Sequence, residues 1–216
     1  MKYTILFIDE ESTQHDKFMD YFETVCPDAV PKCELPLQTL DEMLDKVWSL
    51  CPDAIVTDFQ LNDKRLDIDY TVKYNGVELI RAIREQREDF PCFVITSFDD
   101  EAVNGSDDVN LVYIKDVLKH ETNNAKVIFA ERVTQQIDKY RSRIEKARRE
   151  LAELVDKQGS SGGDVYEEER IIELDTFLEK ALGAKNLVPS ELKCLSNLKR
   201  LNKLIEKVDA LLERVH

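Results

Sequence analysis

The chain has few of the residues that build redox or zinc chemistry. Its five cysteines, Cys26, Cys33, Cys51, Cys92 and Cys194, include no CxxC pair, and its three histidines show no ligand spacing. Neither a disulfide framework nor a zinc site is expected from such spacings. An odd number of thiols fits a reduced, intracellular protein. Long apolar runs are also missing. The start, MKYTILFIDEES, breaks off at its acids after a short apolar stretch, which predicts neither a signal peptide nor a membrane span. The expected location is the cytoplasm, with no membrane partner. Basic charge is scarce as well. Lysine and arginine number 30 against 44 acidic residues, a formal net charge of −14. A polyanion is repelled by such a chain unless a local basic patch draws it in, so nucleic acid is not an expected partner.

What remains is a chain of 216 residues, 43% hydrophobic, enough for one ordinary domain and a smaller unit. Tyr3–Ile8 is a compact apolar run ending in Asp9-Glu10-Glu11, and it reads as a buried strand emerging into an acidic loop. Ser12 is placed to cap the next helix, whose apolar face carries Phe18, Met19, Phe22 and Val25. Pro27 and Pro31 read as bracketing a turn before an extended segment at Cys33–Leu37. A helix from Thr39 to Leu50 follows, and Pro52 ends it. Ala54–Thr57 is a second run, stopping at Asp58; Cys92–Ile95 is a third, stopping at Thr96-Ser97; Leu111–Ile114 is a fourth, stopping at Lys115. Between the second and third, a long polar stretch, Phe59–Asn75, leads to Gly76 and a helix with Val77, Leu79, Ile80 and Ile83. Helices alternating with short apolar runs predict a parallel sheet covered on both faces.

In such a sheet the carboxyl ends of the strands form one rim, and ligands bind there. Asp9, Glu10, Asp58, Thr96 and Lys115 each come directly after an apolar run. Three clustered carboxylates repel one another unless a hard divalent cation joins them, and Mg2+ takes such oxygen ligands. One carboxylate can then act as nucleophile toward phosphorus. A lysine and a hydroxyl would stabilise charge on the phosphoryl oxygens. Singly, each residue reads as a helix cap, a turn or a surface charge; the set in this order does not.

Over roughly residues 1–128 the chain resembles the receiver domain of bacterial response regulators. The resemblance rests on ILFIDEE, the AIVTDFQ around Asp58, NGVELIRAIRE from Asn75, FPCFVITS ending in Thr96-Ser97, and LVYIK ending at Lys115. It implies a doubly wound α/β fold with a five-stranded parallel sheet of flavodoxin-like type. It implies that Asp58 accepts a phosphoryl group from a histidine kinase or phosphotransfer protein. Mg2+ would be held by Glu10 and Asp58, by Asp9 through water and by the backbone carbonyl of Gln60, while Thr96 and Lys115 contact the phosphoryl oxygens. Gln60 and Phe98 stand where the family tunes hydrolysis, and a phenylalanine there would obstruct water and prolong the acyl phosphate. No enzymatic activity is expected beyond slow self-dephosphorylation.

The chain also departs from that family. Glu10 replaces the usual aspartate. About ten extra residues, including Lys64–Tyr70, separate Asp58 from Gly76, and they read as a surface loop, with a lid or partner surface as the alternative. The stretch between Thr96 and Lys115 is short, which predicts a reduced fourth helix near Glu101–Val103. Asp116 replaces a usual proline. The family's switch aromatic falls on Val112, with Tyr113 one place later.

From about Glu121 the pattern changes. Val133, Ile137, Tyr140, Ile144, Ala147, Leu151 and Leu154 form a heptad seam, predicting an extended helix over 129–158. Residues 159–163, GSSGG, read as a flexible link, and 164–216 as a helical hairpin or bundle with a helix over Val165–Leu182 and a second seam from Leu198 to Val215. The seam over 133–154 suggests a homodimer or a bundle that binds another protein. The basic residues Lys139, Arg141, Arg143, Lys146, Arg148 and Arg149 alternate with that seam and read as a solvated face rather than a DNA contact; lone His120 reads as a surface residue.

The expected function is a response regulator of a phosphorelay, switching protein contacts through a helical output. The alternatives are a pseudo-receiver scaffold or a DNA-binding regulator. A haloacid-dehalogenase-like phosphatase is disfavoured, since Gln60 stands where that family has its second acid.

Overall fold

The computed structural model describes residues 2–62, 67–97, 112–118, 128–161 and 165–182. Five strands, β1 (Tyr3–Ile8), β2 (Ala29–Glu34), β3 (Ala54–Asp58), β4 (Cys92–Thr96) and β5 (Val112–Ile114), form one parallel sheet in the order β2-β1-β3-β4-β5. Helices α1 (Ser12–Val25), α2 (Leu40–Leu50) and α3 (Gly76–Gln86) occupy three of the crossovers. A short 3-10 turn, Lys115–Leu118, leaves β5, and α4 (Phe129–Ser161) and α5 (Val165–Leu182) follow. Two compact units result, Met1–Arg141 and Ser142–His216. The α/β unit therefore runs past residue 128 and takes in the first turns of α4.

β3 and β4 are buried at every position, so they read as unbroken apolar runs rather than as an alternation. Successive side chains still point to opposite faces, and the two faces have different compositions. Leu6, Ile8, Ile55 and Val94 meet Met43, Leu44 and Val47 of α2 and Leu79, Ile80 and Ile83 of α3. Ile5, Phe7, Val56, Phe93 and Ile95 meet Phe18, Tyr21 and Phe22 of α1 and Phe129, Ala130, Val133 and Ile137 of α4. Local caps fix where α2 and α3 begin. Thr39 with Glu42, and Asn75 with Glu78, each form a reciprocal capping box that satisfies two orphan backbone donors.

Four expectations change. The second strand lies at Ala29–Glu34 rather than Cys33–Leu37, and Pro31 is inside it. Proline is tolerated there because β2 is an edge strand, whose outer side needs no ladder donors. Ser12 does not cap α1; Glu11 is the N-cap, and Ser12 is the first helical residue. The extra loop, of which residues 63–66 lie outside the described residues, is in its described part not a loose surface segment. Leu61, Ile68, Val72 and Tyr74 are buried in the α2/α3 face, Tyr70 Oη donates to the Pro36 carbonyl at 2.7 Å, and Tyr74 Oη to that of Leu37 at 2.9 Å. Finally, Gly159, Ser160 and Ser161 continue α4 as helix; one helical glycine costs only about 1 kcal/mol relative to alanine, which a long helix absorbs.

The heptad seam is real, but the chain itself covers it. Val133 and Ile137 are buried against the sheet, and Tyr140 packs beside Phe90. In the second unit, Ile144, Ala147, Leu151 and Leu154 pack with Leu174, Phe177 and Leu178 of α5. Three of the six basic residues are engaged as well: Arg141 pairs with Asp53 at 2.7 Å, Arg148 with Glu145 at 3.3 Å, and Arg143 lies over the Phe177 ring. No helix among the described residues is long and apolar enough to cross a membrane. Phe98, the 101–103 segment, His120, Cys194 and the seam from Leu198 to Val215 lie outside the described residues.

Candidate functional site

Parallel strands share a direction, so their carboxyl ends emerge on one rim. Asp9 and Glu10 follow Ile8 directly, Asp58 and Thr96 are the last residues of β3 and β4, and Lys115 follows β5. The register aligns these ends: Ile8 sits opposite Thr57, Asp58 opposite Ile95, and Thr96 opposite Ile114. Asp9, Glu10, Asp58 and Thr96 are all buried, at 0%, 2%, 5% and 3% exposure. Burying charge without partners is costly, so this concentration of carboxylates at one point needs a physical reason.

One carboxylate oxygen from each of Asp9, Glu10 and Asp58 lies within 4.8 Å of the others. The Lys115 ammonium reaches two of the three, at 2.9 Å from Asp9 Oδ2 and 3.2 Å from Asp58 Oδ1. Asp9 Oδ1 accepts from the Glu11 backbone N–H at 2.9 Å, which orients that carboxylate. Burial pushes the Asp58 carboxyl up to about 7; Lys115 opposes this, while Asp9 and Glu10 add to it. Asp9 is raised for the same first reason, burial, again opposed by Lys115. For Lys115, burial acts downward, but Asp58 and Asp9 outweigh it and hold the ammonium above its usual range. One ammonium does not offset three carboxylates. A hard dication suits what is missing, because an all-oxygen set of small spread is the donor chemistry Mg2+ takes. The residues present fit it.

The backbone beneath Asp58 is fixed by a close approach. A Cβ on Gly76 would stand 2.0 Å from the Asp58 carbonyl oxygen, so only glycine lets α3 begin there. Gly76 N donates to Phe59 O at 2.9 Å, and Thr57 Oγ1 donates to the Asp58 carbonyl at 3.0 Å. The strand end that carries Asp58 is held from two sides.

The expected residues separate into those brought together and those not. Asp9, Glu10, Asp58 and Lys115 converge, with Thr96 one residue beyond the position registered against Asp58. Gln60 lines a groove of about 420 Å³ with Tyr74, Asn75 and Glu78. Val112 packs on the α2/α3 face, whereas Tyr113 joins the α1/α4 face, its ring 5.0 Å from Phe129 and 6.1 Å from Phe93. Sequence reasoning missed Asp67. Its Oδ2 accepts from both the backbone N–H and the hydroxyl of Ser12, each at 2.8 Å, so a loop residue supplies the cap that Glu11 does not. It also missed His15, whose Nε2 is 2.9 Å from the Asp9 carbonyl. Neither carries a local signal: the partner is 55 residues away in one case and backbone in the other.

The strand order β2-β1-β3-β4-β5 is that of the flavodoxin-like doubly wound α/β fold. No family model and no curated protein matches the chain. Among solved structures, the non-phosphorylated receiver domain of the stress response regulator RcsB from Escherichia coli is similar at 13% identity, over 58% of this chain and 90% of that one, with a TM-score of 0.43. The BeF3-activated DrrB receiver domain is similar at 19% identity, over 64% and 99%, with a TM-score of 0.42. The anti-anti-sigma factor PhyR from Bartonella quintana is similar at 16% identity, over 68% of this chain and 52% of that one, with a TM-score of 0.45.

Proposed function

We propose that the α/β unit is a phosphoacceptor receiver and that Asp58 takes a phosphoryl group from the phosphohistidine of a histidine kinase or phosphotransfer protein. The observation that carries this reading is the buried triad of Asp9, Glu10 and Asp58 with Lys115 bridging two of its members. In the transfer, an Asp58 oxygen forms a bond to phosphorus as the histidine N–P bond breaks, and the leaving imidazole takes a proton from solvent. Lys115 exchanges its contact with Asp58 for the incoming phosphoryl oxygens, and the Thr96 hydroxyl donates to them. Mg2+, when bound by Asp9, Glu10, Asp58 and the Gln60 backbone carbonyl, supplies positive charge that keeps the carboxylates ionised and neutralises charge on the phosphoryl group. Asp9 keeps the Lys115 ammonium near the acceptor through its 2.9 Å contact. No catalytic output accompanies this reading; the helical residues beyond Arg141 contact a protein partner, and phosphorylation shifts populations between conformations.

The test uses acetyl phosphate or beryllofluoride with Mg2+, read by intact mass and by fluorine NMR. The expected result is one phosphoryl group, or one bound fluoride adduct, per chain, absent in Asp58→Ala. An unmodified wild-type chain at saturating Mg2+ would leave the scaffold reading instead, in which the fold persists without switching. Steady turnover of a simple phosphate ester would point to a phosphatase.

A further inference from the structure

The inserted segment between Asp58 and Gly76 reaches the loops that follow β1 and β2. At its start Leu61 is buried in the α2/α3 face, directly after Gln60, whose backbone carbonyl is assigned above to Mg2+. Farther on, Ile68, Val72 and Tyr74 are buried in the same face. Tyr70 Oη donates to Pro36 O at 2.7 Å and Tyr74 Oη to Leu37 O at 2.9 Å, which ties the segment to the loop between β2 and α2. Asp67, between Leu61 and Ile68, is exposed, yet its Oδ2 accepts from both the backbone N–H and the hydroxyl of Ser12, each at 2.8 Å. Those two bonds hold the Asp67 carboxyl below its usual range.

Ser12 is the first residue of α1 and stands two positions after Glu10. Glu11, at the N-cap, makes no side-chain cap bond, and Asp67 supplies that acceptor instead. The short turn from Asp9 to Ser12 is pinned locally as well. Glu11 N–H donates to Asp9 Oδ1 at 2.9 Å, and His15 Nε2 lies 2.9 Å from the Asp9 carbonyl. The Asp67 bond differs from these because it comes from 55 positions away. Glu10 has one more rotatable bond than an aspartate, so the place of its carboxylate depends more on where its backbone is fixed.

We propose that Asp67 is a positioning residue for the metal site: through Ser12 it clasps the Asp9–Glu10 turn to the segment that starts at Gln60. This rests on the metal site of the receiver reading above. Asp67 is no ligand itself. Its contribution is preorganisation, since carboxylates already in place lose less freedom when a cation binds, and groups that orient ligands typically set about 10- to 100-fold in metal affinity. The inserted segment is thus a brace for the rim rather than a lid.

Mn2+ binding to the metal-free full chain tests this, read as loss of the free-ion electron paramagnetic resonance signal, with Mg2+ as competitor. Asp67→Ala should weaken Mn2+ binding by about fivefold or more, with an unchanged far-UV circular dichroism spectrum. Asp67→Asn loses the charge but keeps an oxygen that can accept both Ser12 bonds, and in physiological salt it should stay within about twofold of the wild type. Ser12→Ala loses one of the two bonds; it should fall between them and serves if Asp67→Ala does not fold. Wild-type affinity in Asp67→Ala, or in Ser12→Ala where that variant stands in for it, overturns the positioning role. So does an equal loss in the asparagine variant, which assigns the effect to charge. A wild-type chain that binds no Mn2+ overturns it together with the metal site. The beryllofluoride adduct is read separately by fluorine NMR: a chain that forms none, yet whose Mn2+ affinity depends on Asp67 in this pattern, upholds the brace and removes the receiver reading.

Discussion

The two faces of the sheet are built from different materials. The α2/α3 side is mainly aliphatic, Leu6, Ile8, Ile55, Val94, Leu79, Ile80 and Ile83 among others, and it has accepted four residues of an inserted loop. The α1/α4 side is ring on ring: Phe7 stacks on Phe18 at 4.4 Å, Phe18 lies 4.7 Å from Phe22, and Phe129 joins Phe22, Phe93 and Tyr113. Aliphatic surfaces tolerate exchange and addition when volume is conserved, whereas ring pairs have preferred orientations. One face is suited to absorbing variation and the other to fixing orientation.

Three measurements would break or sharpen this contrast. The largest effect is expected from Phe22→Ala, which empties the centre of the ring cluster and should cost about 3–5 kcal/mol in urea unfolding; Ile80→Val on the aliphatic face should cost about 0.5–1.5 kcal/mol. Equal losses at the two sites would end the distinction. The rim answers to neither face, and pH isolates it. In the metal-free protein Asp58 keeps its proton until about pH 7, while an unfolded aspartate loses it near 3.8. As pH rises through that window the unfolded chain ionises first, so stability is greatest below it and falls by a few kcal/mol toward neutrality. Thermal melts in chelator from pH 4 to 8 should show this fall, made shallower by Asp58→Asn. A melting temperature that climbs steadily over the same range would contradict it. The smallest effects belong to the loop anchors. Tyr74→Phe leaves the Leu37 carbonyl without its donor and Asp67→Ala uncaps α1, each costing about 1 kcal/mol. Urea midpoints unchanged in both variants would return the loop to the status of a surface excursion.

The sequence made the rim legible because each central strand is a short apolar run that stops abruptly at a charged or hydroxyl-bearing residue. Asp9, Glu10, Asp58, Thr96 and Lys115 needed only the direction of a parallel sheet to be assembled. The edge strand was less visible. AVPKCE is half-exposed, carries a proline, and lacks the run that marked its neighbours. The loop's burial could not be seen because Ile68, Val72 and Tyr74 are spaced by four and then by two residues, so no single periodicity marks them. The seam over 133–154 showed the correct helix and period, but periodicity names a face without naming what covers it, and here sheet and α5 divide it between them. Tyr113 is one residue from the usual aromatic position, and a one-residue offset in a strand moves a side chain to the opposite face.

The contact between Gly76 and the end of β3 has a consequence for engineering. Because Phe59 O and Gly76 N are hydrogen-bonded at 2.9 Å, the segment from 60 to 75 begins and ends at nearly one point. Lengthening a closed excursion costs little entropy, roughly 0.6 kcal/mol per doubling. A fluorescent or peptide tag grafted clear of the buried anchors Leu61, Ile68, Val72 and Tyr74 would therefore be tied at both ends to the residues that follow and face Asp58, making this segment a natural socket for a reporter of the rim's state.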